Sequence, residues 1–366
     1  MSKITAISSR VLYNSRGSKT IEVDVVSDEK FIGRVCAPSG ASVGKFEAVS
    51  FPNNSPEESF SILNQNSKKF IGIDSSDLKQ VHDVIHSIDG TENYAEIGGA
   101  CAFAITIAAT ESAAKAENKQ FFQMINNNTD LKFPFPLGNI LGGGAHAGPG
   151  TPDIQEILVA SIGAKTVRES IDMNLQVHKE LKKLILKGDP TFTNGRGDEG
   201  GWAPKFNNEE ALDISVKAIE NLGFTLGKEV ALGVDFASST QWNEEKGKYV
   251  YDRAGFENDS GEQIEFASKI IEKYKLIYAE DAVHEEAFED MAEITKRFPG
   301  SMITGDDLTV TNNKILQKAV DGKSCNSAIL KVNQAGSLYD ALEFAKVANE
   351  NNIKLITSHR SGESSD

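Results

Sequence analysis

Asp235, Glu280, Asp306, Lys331 and His359 each close a run of apolar and β-branched residues: ALGVDFA, KLIYAED, SMITGDD, SAILKVNQ and IKLITSHR. The last four stand about 25 to 28 residues apart, the length of one strand, one crossover helix and two short loops. That beat predicts a (β/α) barrel, whose strand C-terminal ends converge on one mouth. Three carboxylates there would repel each other unless a hard cation sat between them, and an all-oxygen donor set suits magnesium. A lysine on the next strand would lie beside that ion. Positive charge near an ammonium lowers its pKa, as a lysine base requires. Metal plus lysine predicts proton abstraction next to a carboxylate.

The elements that must position these groups follow from patterning. Residues 3 to 36 read as three strands, ITAISSRVLY, TIEVDVV and FIGRVCA, separated by polar turns. The glycine-bearing segment APSGASVGKFEA comes next and predicts a loop or lid. SPEESFSIL and SDLKQVHDVIHSI carry apolar residues at helical spacing after serine caps. A third helix, GGACAFAITIAATESAAKA, has small residues all round and is expected to be buried between two domains, as core. NNNTDLKFPFP reads as a linker, giving an α+β capping domain over 1–130 and a barrel over 131–366. PLGNILGG and DIQEILVAS are joined by GGGAHAGPGTP, too short for a crossover, so the second barrel strand is expected antiparallel. The joining loop holds His146, which on its own reads as readily as an incidental exposed histidine. Strand alternation sends only one of Gln155 and Glu156 inward. Between two helical patterns, TNGRGDEGGWAP offers Glu199 as a candidate acid, while Asp198 and Glu199 read equally as a turn and a helix cap.

With 366 residues the chain accommodates a barrel of ~250 residues and a smaller companion. A net charge of −15 argues against nucleic-acid or anionic-membrane partners, which select basic surface. Three cysteines, Cys36, Cys101 and Cys325, lack metal-type spacing, and reduced thiols of a cytoplasmic protein are the expectation. MSKITAISSR has no signal-peptide apolar stretch, and Gly98 to Ala109 is too short to span a bilayer.

Six motifs, GRGDEGGWAP, APSGAS, GGGAHAG, GDDLTVTN, LKVNQAGSL and SHRSGE, occur in the order found in the enolase family, and the chain resembles that family from Asn14 to Asp366. A lysine base beside magnesium is the arrangement known for the enolase superfamily. The resemblance implies a (β/α)8-type barrel and reversible dehydration of 2-phospho-D-glycerate to phosphoenolpyruvate, with two Mg2+ in the substrate complex. It implies Lys331 as base and Glu199 as acid, with Glu156 assisting. Asp235, Glu280 and Asp306 would bind the first ion, and Ser42 in the lid would help complete the second. His146, Gln155, Glu156 and His359 would lie along the substrate, and Arg360 with Ser361 would hold its phosphate. A homo-oligomer, at least a dimer, is implied as well. Departures from the family pattern are Asn14, Lys19, Val43 and Ala282. Strand counting gives seven where a closed barrel of this kind needs eight. The eighth is expected to be missing, and the sequence to be an inactive fragment. The alternatives are another enzyme of the superfamily, which would lack DEGG and SHRSGE, and a non-catalytic scaffolding protein.

Overall fold

The computed structural model describes residues 2–40, 44–126, 131, 133–360 and 362. Ser42, Ser361 and Val43 lie outside them.

The three opening runs form an antiparallel meander of β1 (Ile4–Tyr13), β2 (Lys19–Ser27) and β3 (Phe31–Cys36). Alternation along β2 buries Ile21, Val23 and Val25 and leaves Glu22 and Asp24 on the other face. The buried face packs on α3 (Gly99–Ala116), with α1 (Pro56–Asn66) and α2 (Leu78–His86) closing the core around Leu63, Val81 and Ile85. Ser55 caps α1 by accepting from Glu58 N, and Asp77 caps α2 by accepting from Gln80 N. The small residues of α3 let the strands come close: a Cβ on Gly33 would stand 1.9 Å from the carbonyl oxygen of Ala108. As expected, α3 is core: it packs chiefly on β2 and β3, and one side of it also reaches the second half of the chain. A short α4 (Phe121–Ile125) ends this half of the chain.

The second half is one curled sheet of seven strands in the order β13-β12-β11-β10-β6-β5-β4. Its members are β4 (Leu137–Gly142), β5 (Glu156–Ala160), β6 (Ala231–Asp235), β10 (Tyr278–Glu280), β11 (Met302–Gly305), β12 (Ser327–Leu330) and β13 (Lys354–Thr357). As expected, β5 is antiparallel to β4, and it is so to β6 as well, while β6, β10, β11, β12 and β13 run parallel. Helices α5 (Val167–Gly188), α6 (Asn208–Asn221), α7 (Ser260–Lys273), α8 (Phe288–Arg297), α9 (Asn313–Gly322) and α11 (Leu338–Glu350) connect the strands. A short α10 (Val332–Ala335) precedes α11. Sequence patterning missed a ribbon of β7 (Trp242–Asn243), β8 (Lys248–Tyr251) and β9 (Phe256–Asn258) inserted after β6. Its strands of two to four residues are too short to show a period.

Candidate active site

Asp235 ends β6 and Glu280 ends β10, while Asp306, Lys331 and His359 lie just beyond β11, β12 and β13. All five line one cavity of about 540 Å3, joined there by His146, Gln155, Glu156, Glu199 and Arg360. Parallel strands in register thus place the predicted groups at one mouth.

Burial pushes the Asp235 and Glu280 carboxyls well above the usual range, and their acidic neighbours push the same way. Asp235 Oδ2 accepts from Gln155 Nε2 at 3.0 Å and Oδ1 from Ala237 N at 2.8 Å. Asp281, which the sequence reading passed over, is also buried next to Glu280 and Asp306. Its two oxygens accept the backbone N–H groups of Asp306 (3.1 Å) and Asp307 (2.8 Å), so it braces the turn and does not line the cavity. The group facing the cavity is Asp235, Glu280 and Asp306, an all-oxygen set under mutual repulsion, and these residues fit a hard divalent cation.

Lys331 donates to Asp306 Oδ2. Burial opposes its charge, but the Asp306 carboxylate outweighs burial and holds the ammonium above the ordinary lysine value. The lowered pKa expected from sequence is that of the amine beside a bound cation, whose positive charge would act against this pull. Gln334 on α10 donates to the other oxygen of Asp306 at 3.0 Å and to Glu47 at 3.3 Å. Neither Gln334 nor Glu47 was singled out from sequence, although both lie in or beside segments that were, LKVNQAGSL and APSGASVGKFEA.

Across the cavity, Glu156 and Glu199 form a coupled pair. Burial, the hydrogen bond to Glu199 and its charge all push Glu156 upward. For Glu199 burial acts in the same direction, but contacts from His359, Glu156 and His146 outweigh it and hold that carboxyl low. Burial and mutual repulsion thus oppose the two carboxyls carrying charge together. His359 Nε2 lies 3.3 Å from Glu199 Oε1. His146 Nδ1 lies 3.0 Å from Glu156 Oε1, but out of line for a hydrogen bond, and burial lowers its imidazole pKa. The loop carrying Glu199 is tied down by Asp198 N to His146 O (3.1 Å) and Gly197 N to Gly201 O (2.9 Å). Both Gln155 and Glu156 reach the cavity, against the alternation argument, because Gln155 precedes β5 and is free of its pleat. Three buried polar atoms at this wall, Asn139 Oδ1, His146 Nδ1 and Gln155 Oε1, have no hydrogen-bond partner among the described residues, and all three residues line the cavity. Buried polar atoms are normally satisfied, so this wall suits a polar ligand.

The capping domain closes over the mouth. Ser39 and Gly362 exchange backbone hydrogen bonds of 3.0 and 2.8 Å. Asn14 donates to Ser39 Oγ at 2.8 Å while its oxygen accepts from Arg16 N and Ser18 N, each at 3.0 Å. An aspartate could not make that donation. Between Ser39 and the strand ends, Arg360 is buried and donates to Asn333 Oδ1 at 3.0 Å.

The sequence matches the family described as Enolase, N-terminal domain over residues 4–125, and that described as Enolase, C-terminal TIM barrel domain over residues 130–366. It is 42% identical to the enolase of Methanosphaera stadtmanae over 359 residues, which is 98% of this chain and 86% of that protein. Identity and coverage are the same against the enolase of Methanothermobacter thermautotrophicus. The enolase of Pyrobaculum aerophilum is 36% identical over 360 residues, 97% of this chain and 85% of that protein. Among the described residues no helix is long and apolar enough to cross a membrane.

Proposed function

Because this chain belongs to the enolase family and is a carbon–oxygen lyase of the phosphopyruvate hydratase class, we propose that it interconverts 2-phospho-D-glycerate and phosphoenolpyruvate at this mouth. One observation carries the reading: a single cavity joins a lysine set among carboxylates to a pair of neighbouring glutamates and a histidine. Asp235, Glu280 and Asp306 would hold Mg2+, which when bound supplies positive charge against the negative charge that builds as the α-proton leaves. Lys331 Nζ accepts that proton. Glu156 holds a proton in reserve and passes it to Glu199, which delivers it to the departing hydroxyl. The guanidinium fork of Arg360 holds the phosphate, its geometry matching an oxygen cluster. His146, Gln155 and His359 fix the reacting end, where the unpartnered atoms of His146 and Gln155 gain partners from the substrate.

The order of the two proton transfers gives the test. A positioned acid or base contributes ~10²–10⁴-fold, so Glu199→Gln and Lys331→Ala should each lose turnover on that scale. In deuterated solvent Glu199→Gln should still exchange the α-proton of 2-phosphoglycerate, because removal precedes loss of hydroxide, and Lys331→Ala should not. Exchange that survives in Lys331→Ala would show that another residue is the base.

A further inference from the structure

A second cluster of metal-binding side chains lies away from the mouth, where α2 of the capping domain meets α11 of the barrel. His82 and His86 are one turn apart on α2, so both rings project from one face, with centroids 4.4 Å apart. Val81 and Ile85 are fully buried on the neighbouring face and fix the rotation of the helix. Opposite stands Asp340 in the first turn of α11, its Oδ1 3.2 Å from His82 Nε2. One donor atom from each of the three residues lies within 4.8 Å of the others. We propose that His82, His86 and Asp340 bind a single divalent transition-metal ion of the zinc type and thereby clamp the two domains.

Metal–ligand bonds of about 2.0–2.2 Å place neighbouring donors of a tetrahedral ion about 3.3 Å apart. The His82–Asp340 pair already has that spacing at 3.2 Å, and a donor of His86 lies within 4.8 Å of both. The carboxylate is oriented from behind, since Asp340 Oδ2 accepts from Tyr94 Oη and from Ser337 Oγ. Such outer hydrogen bonds are what hold a ligating carboxylate in register. Two imidazoles and one carboxylate select zinc, cobalt or nickel over magnesium, which prefers oxygen donors. The cluster therefore does not compete for the ion used at the mouth. With His82 13% and Asp340 34% exposed, an ion can enter from solvent and keep a water as fourth ligand. The competing description is a packing contact of His82, His86, Tyr94 and Tyr339 rings with one hydrogen bond.

Cobalt(II) titrated into the full chain in saturating magnesium separates the two. The site should take up one cobalt per chain with the visible absorption of tetrahedral nitrogen–oxygen coordination, and the melting temperature should rise. His86→Ala, which gives up no hydrogen bond to Asp340, should lose the absorption and the thermal shift while keeping magnesium-dependent turnover. His82→Ala should lose them as well, and Tyr94→Phe should weaken cobalt binding about tenfold through the carboxylate it orients. Absence of the absorption in the parent chain, or its persistence in both histidine variants, would overturn the proposal.

Discussion

Gln334 joins the chemistry of both domains in one side chain: its nitrogen serves Asp306 and Glu47, and its oxygen accepts from Thr311 Oγ1 at 2.9 Å. Removing it leaves a buried carboxylate short of a donor, which costs about 1–3 kcal/mol. A carboxylate released from its outer hydrogen bond also holds a cation less well. Gln334→Ala should therefore raise the magnesium concentration for half-maximal activity about tenfold or more, with a smaller change in turnover at saturating magnesium. A magnesium titration checks this, and an unchanged midpoint would show that Asp306 does not need the amide. Asp235, Glu280, Asp306, Lys331 and His359 were readable in sequence because each ends a strand or lies just beyond one, where residue type and period coincide. Asp281 and Gln334 were not, since their roles depend on which backbone amide or carboxylate the fold brings near them.

At the scale of elements, the meander shows how pattern becomes packing and where pattern is silent. The alternation of β2 could be read directly, but nothing in FIGRVC says that Gly33 must lie against a helix carbonyl. Gly33→Ala should destabilise the chain by about 1–3 kcal/mol through overpacking, measured as a lowered denaturant midpoint. A neutral result would mean that α3 can move away from β3. On the outer face Asp24 is gripped by Arg34 (2.6 and 2.8 Å) and by Arg10 (3.0 Å). The hydrogen bond from Arg34 holds its carboxyl below the usual range, outweighing burial. A lowered folded pKa stabilises above the unfolded value, about 3.9, and the contribution is lost as pH falls through the folded value. Asp24→Asn should therefore flatten the fall of melting temperature with acid below about pH 4, while a parallel curve would show that the pair adds nothing there. The ribbon of β7 to β9 and the reach of Gln155 escaped strand periodicity because both sit where the period breaks, although the family motifs had placed Gln155 at the site.

For the molecule as a whole, the question is whether the capping domain shapes the site or only covers it. The interface runs through the α10–α11 turn: Ala48 N donates to Gln334 O at 2.9 Å, and Leu338 N donates to Thr106 Oγ1 at 3.1 Å. Between them Gly336 holds φ +91°, and a Cβ there would stand 2.4 Å from the Tyr94 ring and 3.1 Å from Ala48 Cβ. Alanine would be strained by its own backbone and would also press the domains apart. The turn that must yield carries Lys331 and Gln334, so the displacement reaches the proposed base and the carboxylate it pairs with. Misplacement of about 1 Å can cost on the order of 100-fold in rate. Gly33→Ala strains a contact far from that turn and supplies the matched control. Both variants should lose stability, but well below their melting temperatures Gly33→Ala should keep near-parental kcat while Gly336→Ala loses at least tenfold. Equal kcat in the two would mean that the barrel sheet alone sets the geometry of the mouth.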